Sequence, residues 1–334
     1  MTETLAQRMD NWLAAHPHHG DNPLQGMAEA GLLQPADSYA DIAAVKAVLV
    51  GRTGLLGIGG IWGGRQQIER FFLQGFGSAA QKAQWSGKAL SVAISEPKVG
   101  AHPKLLTTRA EPVDGGWRIN GEKAWVSNGP LADAIIVVAI TAQEGERKRY
   151  SAFLVPSDTP GLSMEEMPGF HALRPSRHCH MKLDGCVVPD VAMLGEPGTA
   201  YERMAMRFRD VEDAVGTYAT LGAFRFLTSR LRVGGEGEGR DLSLGALIAL
   251  EAVYEAGAAS VVATLDGGRL NAGSATLVGL RVLAIDMAQR IRTHVDAFGP
   301  RDDMVDTMLA DLDATLAIAR GPRLARQARL ATGR

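Results

Sequence analysis

Cysteine is nearly missing from this sequence: Cys179 and Cys186 are the only two in 334 residues, without Cys-x-x-Cys spacing. That excludes a disulfide scaffold and makes a reducing, cytoplasmic compartment the expected one. Charge of one sign is lacking as well, since 35 Lys and Arg against 37 Asp and Glu leave a formal net charge of -2. A nucleic-acid or other polyanion partner is therefore not implied. The chain starts MTETLAQRMDNWLAAHPHHG, which mixes charged and polar residues where a signal peptide needs an uninterrupted apolar core. Apolar runs elsewhere read as shorter than the roughly 20 residues of a membrane helix, so no membrane partner is expected. Repeats and low-complexity tracts of any length are absent too.

What is present is the composition of an ordinary globular enzyme, 46% hydrophobic and 22% charged. The length allows two or three structural units, and the patterning suggests three. Residues 1–88 carry short helical segments, interrupted by GRTGLLGIGGIWGG at 51–64. Residues 89–198 change to short β-type runs (LSVAIS, WRINGEKAWVS, DAIIVVAIT, SAFLVP) divided by Gly, Pro, Asn and Asp, the spacing of a small antiparallel barrel or sandwich. Residues 199–334 become long helices, predicted over 199–233, 242–265, 274–297 and 302–330. In the first of these Met204, Phe208, Val211, Val215, Tyr218 and Leu221 recur three or four apart, as a core-facing stripe requires. The expected fold is α+β and multidomain: a helical N-terminal domain, a middle antiparallel β-barrel and a C-terminal four-helix bundle.

Some local patterns have two readings. AVLVGRTGLLG at 47–57 looks like a strand entering a glycine turn, the opening of a dinucleotide-binding unit. A β-rich block followed by helices alone does not continue that fold, and a helix and turn with close backbone packing at Gly57, Gly59 and Gly60 is the alternative. Arg177, His178, Cys179 and His180 alternate along a strand without the four convergent ligands of a zinc site, so no metal is expected. His16, His18 and His19 fall in an expected solvated loop. Arg320, Arg323, Arg326 and Arg329 share a helical face that could meet CoA phosphates, an acidic neighbour or only solvent.

The stretch from Ala93 to Thr141 contains, in order, Ser95-Glu96-Pro97, the hairpin Asn120-Gly121-Glu122-Lys123 and the run Trp125-Val126-Ser127-Asn128. SAFLVPSDTPGLS and LDGCVVPDVAMLGEPG continue after it, while LQGMAEAGLL and FGSAAQKAQW precede it. This series resembles the acyl-CoA dehydrogenase family, whose implied fold is helices, a β-barrel and a helical bundle, and whose implied cofactor is FAD. A flavin ring needs a flat apolar surface on one face and hydrogen bonds at its polar edge, so an aromatic two residues from a hydroxyl on one strand can supply both. The resemblance implies that Trp125 lies against the ring, that Ser127 donates toward N5, and that Ser95 with the neighbouring backbone, including Ile94 and Val126, receives the pyrimidine end. Without the resemblance Trp125 reads equally as barrel core, and both serines as satisfied strand hydroxyls.

Elsewhere the sequence departs from the family pattern. Where the family's catalytic base sits in a Tyr-Glu-Gly-Thr segment, this chain has Ala319, Arg320, Gly321 and Pro322, and a guanidinium is no base. Some members carry the glutamate on the first bundle helix instead, a position that falls here on Glu212. Glu212 borders the apolar stripe, where partial desolvation would raise its pKa toward that of a useful base; beside Asp210, Asp213, Arg207 and Arg209 it also reads as part of a solvated face. The family's Arg-x-x-Phe-Gly motif is replaced by VGGEGEG, and its Gln-x-x-Gly-Gly-x-Gly turn by Asp296-Ala297-Phe298-Gly299-Pro300. Both normally hold the ADP half of FAD on a neighbouring subunit.

The resemblance thus implies FAD-dependent α,β-dehydrogenation of an acyl-CoA, with Glu212 as base and backbone near Arg320 and Gly321 polarising the thioester. It implies a homo- or hetero-oligomer with another acyl-CoA dehydrogenase-like subunit, which would supply the ADP clamp. A non-catalytic structural or regulatory subunit, and a flavin monooxygenase or oxidase of the same superfamily, are the alternatives. Lipid degradation is the expected setting, a bulky steroid side chain among the acyl groups by family analogy.

Overall fold

A computed structural model of the chain describes residues 3–16, 23–271 and 273–333. His18 and His19 lie outside the described residues. The chain forms two compact units: Met1–Gly63 with Ala172–Pro175 and Asp210–Arg334, and Gly64–His171 with Ser176–Arg209. The N-terminal helices therefore cluster with the C-terminal ones, and the compact units do not follow the division at 88 and 198 expected from composition.

The first unit opens with α1 (Leu5–Ala15), closed at its start by a reciprocal Thr4–Gln7 capping box, and α2 (Pro23–Glu29). Ser38 caps α3 (Tyr39–Thr53) by accepting from the Asp41 N–H, and Gly54, at φ 69°, ends it in the left-handed conformation before α4 (Leu56–Ile68) begins. The segment 47–57 is thus helix, glycine cap and helix, and the dinucleotide-turn reading falls. What Gly57 serves is close approach: a Cβ there would lie 2.6 Å from the carbonyl carbon of Arg174 and overlap the Leu173 carbonyl oxygen. Leu173 is itself pinned at φ 63°, with its N–H donated to the buried carboxylate of Asp311 at 2.6 Å. Backbone on both sides leaves a methyl nowhere to go. Gly57→Ala should cost about 1–3 kcal/mol of unfolding free energy in a urea titration, as overpacking does; a change under about 0.5 kcal/mol would mean that segment 172–175 gives way.

Long helices fill the rest of this unit: α6 (Met206–Val233, preceded by a π-helical turn and belonging here from Asp210), α7 (Arg240–Asp266), α8 (Ala275–Phe298), α9 (Asp303–Ala317) and α10 (Arg320–Thr332). The single helix expected over 302–330 is two, broken at Ile318 and Ala319, where Ala319 takes φ 51°. A second correction concerns α7. With Glu251 and Glu255 as the only charges between Leu242 and Leu265, it is long and apolar enough to cross a membrane by length and composition, against the expectation that no run is. One face, Leu244, Leu247, Tyr254, Ala258, Val261 and Val262, is buried within the unit.

The second unit is built on an eight-stranded sheet. Its strands are β1 (Leu90–Ala93), β2 (Arg109–Val113), β3 (Gly116–Ser127), β4 (Ala134–Glu144), β5 (Arg147–Pro156), β6 (Leu162–Glu166), β7 (His178–Pro189) and β8 (Met193–Leu194). They run in the order β6-β7-β3-β2-β4-β5-β8, with β1 beside β4. Pairing is antiparallel except that β1 and β2 each meet β4 in parallel, so the sheet is mixed where an antiparallel one was expected. Among the described residues the pairings form an open path, without closure into a barrel. Alternate residues of β3 and β7 (Ile119, Val126, Cys179, Met181, Leu183, Cys186) point into one core with Val137 and Phe153. Ahead of the sheet, α5 (Ala79–Trp85) is capped by Ser78 and Gln81, and the Gln81 amide also donates to the carbonyls of Val191 and Met193, both at 2.9 Å.

Candidate functional site

In the second unit the decisive local event is a bulge in β3. Lys123 faces Met181 and Val126 faces Cys179, so Ala124 and Trp125 together oppose His180 alone. The extra residue is absorbed at Trp125, which takes φ 59°, a left-handed conformation that a bulky residue adopts only when its surroundings impose it. Its indole is thrown outward and is 49% exposed, which removes the core-packing alternative. Beyond the bulge Val126 is buried and Ser127 exposed, so Trp125 and Ser127 share the outer face. The Val126 side chain is fully enclosed in the sheet core, so only its backbone is left to face a ligand.

Neighbouring residues complete this wall. The Phe170 ring meets Trp125 edge-on at 5.3 Å and His178 at 5.0 Å, and His178 stands directly across from Ser127 in the β3·β7 register. Sequence reasoning missed both, because register and the approach of the loop before β7 are not written in residue spacing. Ile94 and Ser95, half-buried at the end of β1, are tied to the bulge: the Ser95 carbonyl accepts from the Ala124 N–H at 2.9 Å, and the Ile94 carbonyl from Lys123 Nζ at 3.1 Å. The Ser127 carbonyl accepts from Ser91 Oγ at 2.7 Å.

Behind the wall lies a buried ion pair. Lys123 is 0% exposed and Glu96 4%, with Nζ 3.1 Å from Oε1. Glu96 also accepts from the Thr107 N–H and Oγ1 at 2.7 and 2.8 Å and from the Thr108 N–H at 2.9 Å. Burial alone would raise this carboxyl, but Lys123 and the threonine donors outweigh it and hold it at about 2.

In the first unit Glu212 is exposed on α6, so the desolvation expected from its place beside the apolar stripe does not occur. Its electrostatic neighbour is Lys46, 7% exposed on α3, whose pKa burial pushes down to about 8 against the opposing pull of Glu212. Asp213, next along α6, is 7% exposed in its side chain and receives Arg323 at 2.6 Å and Arg326 at 3.0 Å. Two of the four arginines on the C-terminal face are thereby spent within the unit rather than left to solvent or CoA. Arg320 and Gly321 form the exposed first turn of α10. The loop at 234–239 is drawn in by Arg240, whose guanidinium donates to the carbonyls of Leu231 at 2.6 Å and Gly234 at 3.0 Å; Arg230 is paired with Asp302.

Against known proteins, residues 91–186 match the family model described as the acyl-CoA dehydrogenase middle domain. That span holds the whole β3 wall. Residues 91–186 thus form an acyl-CoA dehydrogenase middle domain. The chain is similar to the mitochondrial short-chain specific acyl-CoA dehydrogenase of Mus musculus, at 36% identity over 142 residues, covering 41% of the chain and 34% of the relative. The sequence match thus spans about a third of that relative's length. In fold it is similar to a glutaryl-CoA dehydrogenase from Mycobacterium smegmatis, with a TM-score of 0.81 at 21% identity, covering 99% of the chain and 94% of that one. A glutaryl-CoA dehydrogenase from the same organism in complex with FADH2 gives 0.76 at 18% identity, with 99% and 94% covered. Those two likenesses establish the fold of the chain.

Proposed function

We propose that this chain uses FAD to dehydrogenate an acyl-CoA thioester between its α and β carbons, as one subunit of an oligomer. The observation that carries this reading is the exposed Trp125 indole beside the exposed Ser127 hydroxyl, on a strand locked from behind by Val126. An apolar plate, a hydroxyl donor and the adjoining backbone of Ile94 and Ser95 fit an isoalloxazine ring and its polar edge. The ADP half fits this chain poorly. The loop at 234–239 carries Glu236 and Glu238, and its neighbours Arg240 and Arg230 are already engaged. Charge-assisted contacts of that kind are worth about 1.5–3 kcal/mol each, so a second subunit is the proposed source. Leu242, Ala246, Ala249, Val253 and Ala256, four and three apart along the outer face of α7, offer an apolar stripe on which such a subunit could pack.

Bound FAD supplies the two-electron acceptor that takes the β-hydrogen as hydride. The chain's own tasks are proton removal, orientation and charge stabilisation. Glu212 accepts the α-proton, and its exposure makes the carboxylate reachable by substrate. The N–H groups in the first turn of α10, at Arg320 and Gly321, have no intrahelical acceptor and so can donate to the thioester oxygen as the α-carbon loses its proton. Trp125 would hold one face of the ring and Ser127 would donate to its polar edge. The acidic loop at 234–239 specifically favours a second reading, a non-catalytic subunit of a competent complex.

The test is the absorption spectrum of the purified protein, alone and with candidate partner subunits, followed by FAD titration of the wild type and Trp125→Ala. Trp125 is half exposed, so its removal should leave thermal stability nearly unchanged while weakening FAD binding at least tenfold, as loss of a large aromatic contact does. Protein that stays colourless in every assembly and takes no added FAD would sink the flavin reading.

A further inference from the structure

The Lys123–Glu96 pair sits where burying two charges brings no obvious gain in stability, since a well-packed apolar pair of similar volume is often as stable. Its hydrogen bonds suggest what it is for. Lys123 Nζ accepts nothing and donates to two groups of the Ile94–Ser95–Glu96 turn, the Ile94 carbonyl and the Glu96 carboxylate, both at 3.1 Å. The carboxylate then fixes the backbone of Thr107 and Thr108. The Glu96 N–H and carbonyl are closed on Gly100 at 2.9 and 3.0 Å, and the Ser95 carbonyl is taken by Ala124. Every carbonyl of the turn is thereby taken by a donor of this unit.

The consequence follows from peptide planarity. The Ile94–Ser95 peptide is trans, so its C=O and N–H point in opposite directions. With the carbonyl drawn to Lys123 in the core, the Ser95 N–H is directed away from the core. Lys123 is also the last residue of β3 before the register jump, and Ala124, the first residue of the bulge, is the one hydrogen-bonded to Ser95. One side chain thus governs both the direction of a donor on the turn and the start of the bulge that presents Trp125.

We infer that Lys123 and Glu96 are positioning residues for the flavin: together they aim the Ser95 N–H outward, as a donor to the carbonyl edge of the ring, and hold the bulge that sets the Trp125 indole against its face. This rests on the flavin reading above. Neither charged group touches the ring; they act through backbone.

The experiment compares the wild type, Lys123→Met and the double variant Lys123→Met/Glu96→Gln, in whichever assembly binds FAD. Lys123→Met alone strands a buried carboxylate and is expected to lower stability strongly, whereas the double variant leaves no unpaired charge and, with one oxygen fewer to accept from Thr107 and Thr108, should melt below the wild type but above the single variant. Two properties of the double variant are read: the FAD dissociation constant, and the absorption bands and midpoint potential of the bound flavin. The expected result is at least fivefold weaker binding together with a shifted spectrum or potential, which partial unfolding alone would not produce. A double variant that binds FAD within twofold of the wild type, with the same bands and potential, would overturn the inference and leave the flavin reading standing. A wild type that binds no FAD in any assembly would instead remove both.

Discussion

Replacing Glu212 by Gln should lower turnover of an acyl-CoA by about 10²- to 10⁴-fold while leaving FAD binding and KM close to those of the wild type. The amide keeps the size and reach of the side chain and loses only its capacity to take a proton. Asp213 cannot stand in for it: that carboxylate is buried and held by Arg323 and Arg326, and freeing it would leave two guanidinium groups without their partner. The exposure of Glu212 changes why it can serve. Desolvation is not what prepares it in the isolated chain, where the side chain is exposed and open to substrate. Turnover of the Glu212→Gln complex within twofold of the wild type, with flavin fully bound, would move proton removal to another residue and favour the non-catalytic reading.

The parts of this picture that the sequence made legible are those with a short period or a local motif. Alternation along β3 and β7 marked the sheet, and the run from Trp125 to Asn128 marked its outer face. The long helices were visible because Met204, Phe208, Val211 and Val215 recur at helical spacing. What stayed hidden depends on contacts between distant residues. The bulge at Ala124 and Trp125 is set by the register of β3 on β7 and by the turn at Ile94–Glu96, and nothing in WVSN announces a left-handed tryptophan. Arg323 and Arg326 reach Asp213 more than a hundred residues away, so the arginine face looked solvated. The glycines at 51–64 misled in another way. Glycine weakens a helix, but here it allows backbone to approach backbone, a tertiary gain that outweighs local propensity. The break between α9 and α10 did have a signal, Gly321-Pro322, which a helix interior would not tolerate.

Lys46→Met should raise the stability of the protein at pH 7 by on the order of 2–3 kcal/mol, an unusual direction for a core substitution. The Lys46 side chain is enclosed, its stem lying over Gly63, where a Cβ would come within 2.7 Å of Lys46 Cγ. Burial lowers its pKa from 10.5 to about 8, only partly opposed by Glu212. Below pH 8 the amine is protonated in both folded and unfolded chains, and the folded state bears the full cost of the enclosed charge. Between about 8 and 10.5 the unfolded chain holds a proton that the folded one has released, so folding stability rises with pH through that window. Lys123, which burial also lowers, acts in the same direction, and the buried tyrosines act in the opposite direction above it; the difference between wild type and Lys46→Met isolates the one group. Methionine has a stem of similar length and no charge to enclose, so the variant should be more stable at pH 7 and its advantage should shrink toward pH 10. Urea unfolding at pH 7 and pH 9.5 measures both quantities. A variant less stable than the wild type at pH 7, or an advantage that does not change with pH, would show that the ammonium is well accommodated where it lies. A stability gain accompanied by a fall in turnover would mean that an expensive charge is kept for function rather than for stability.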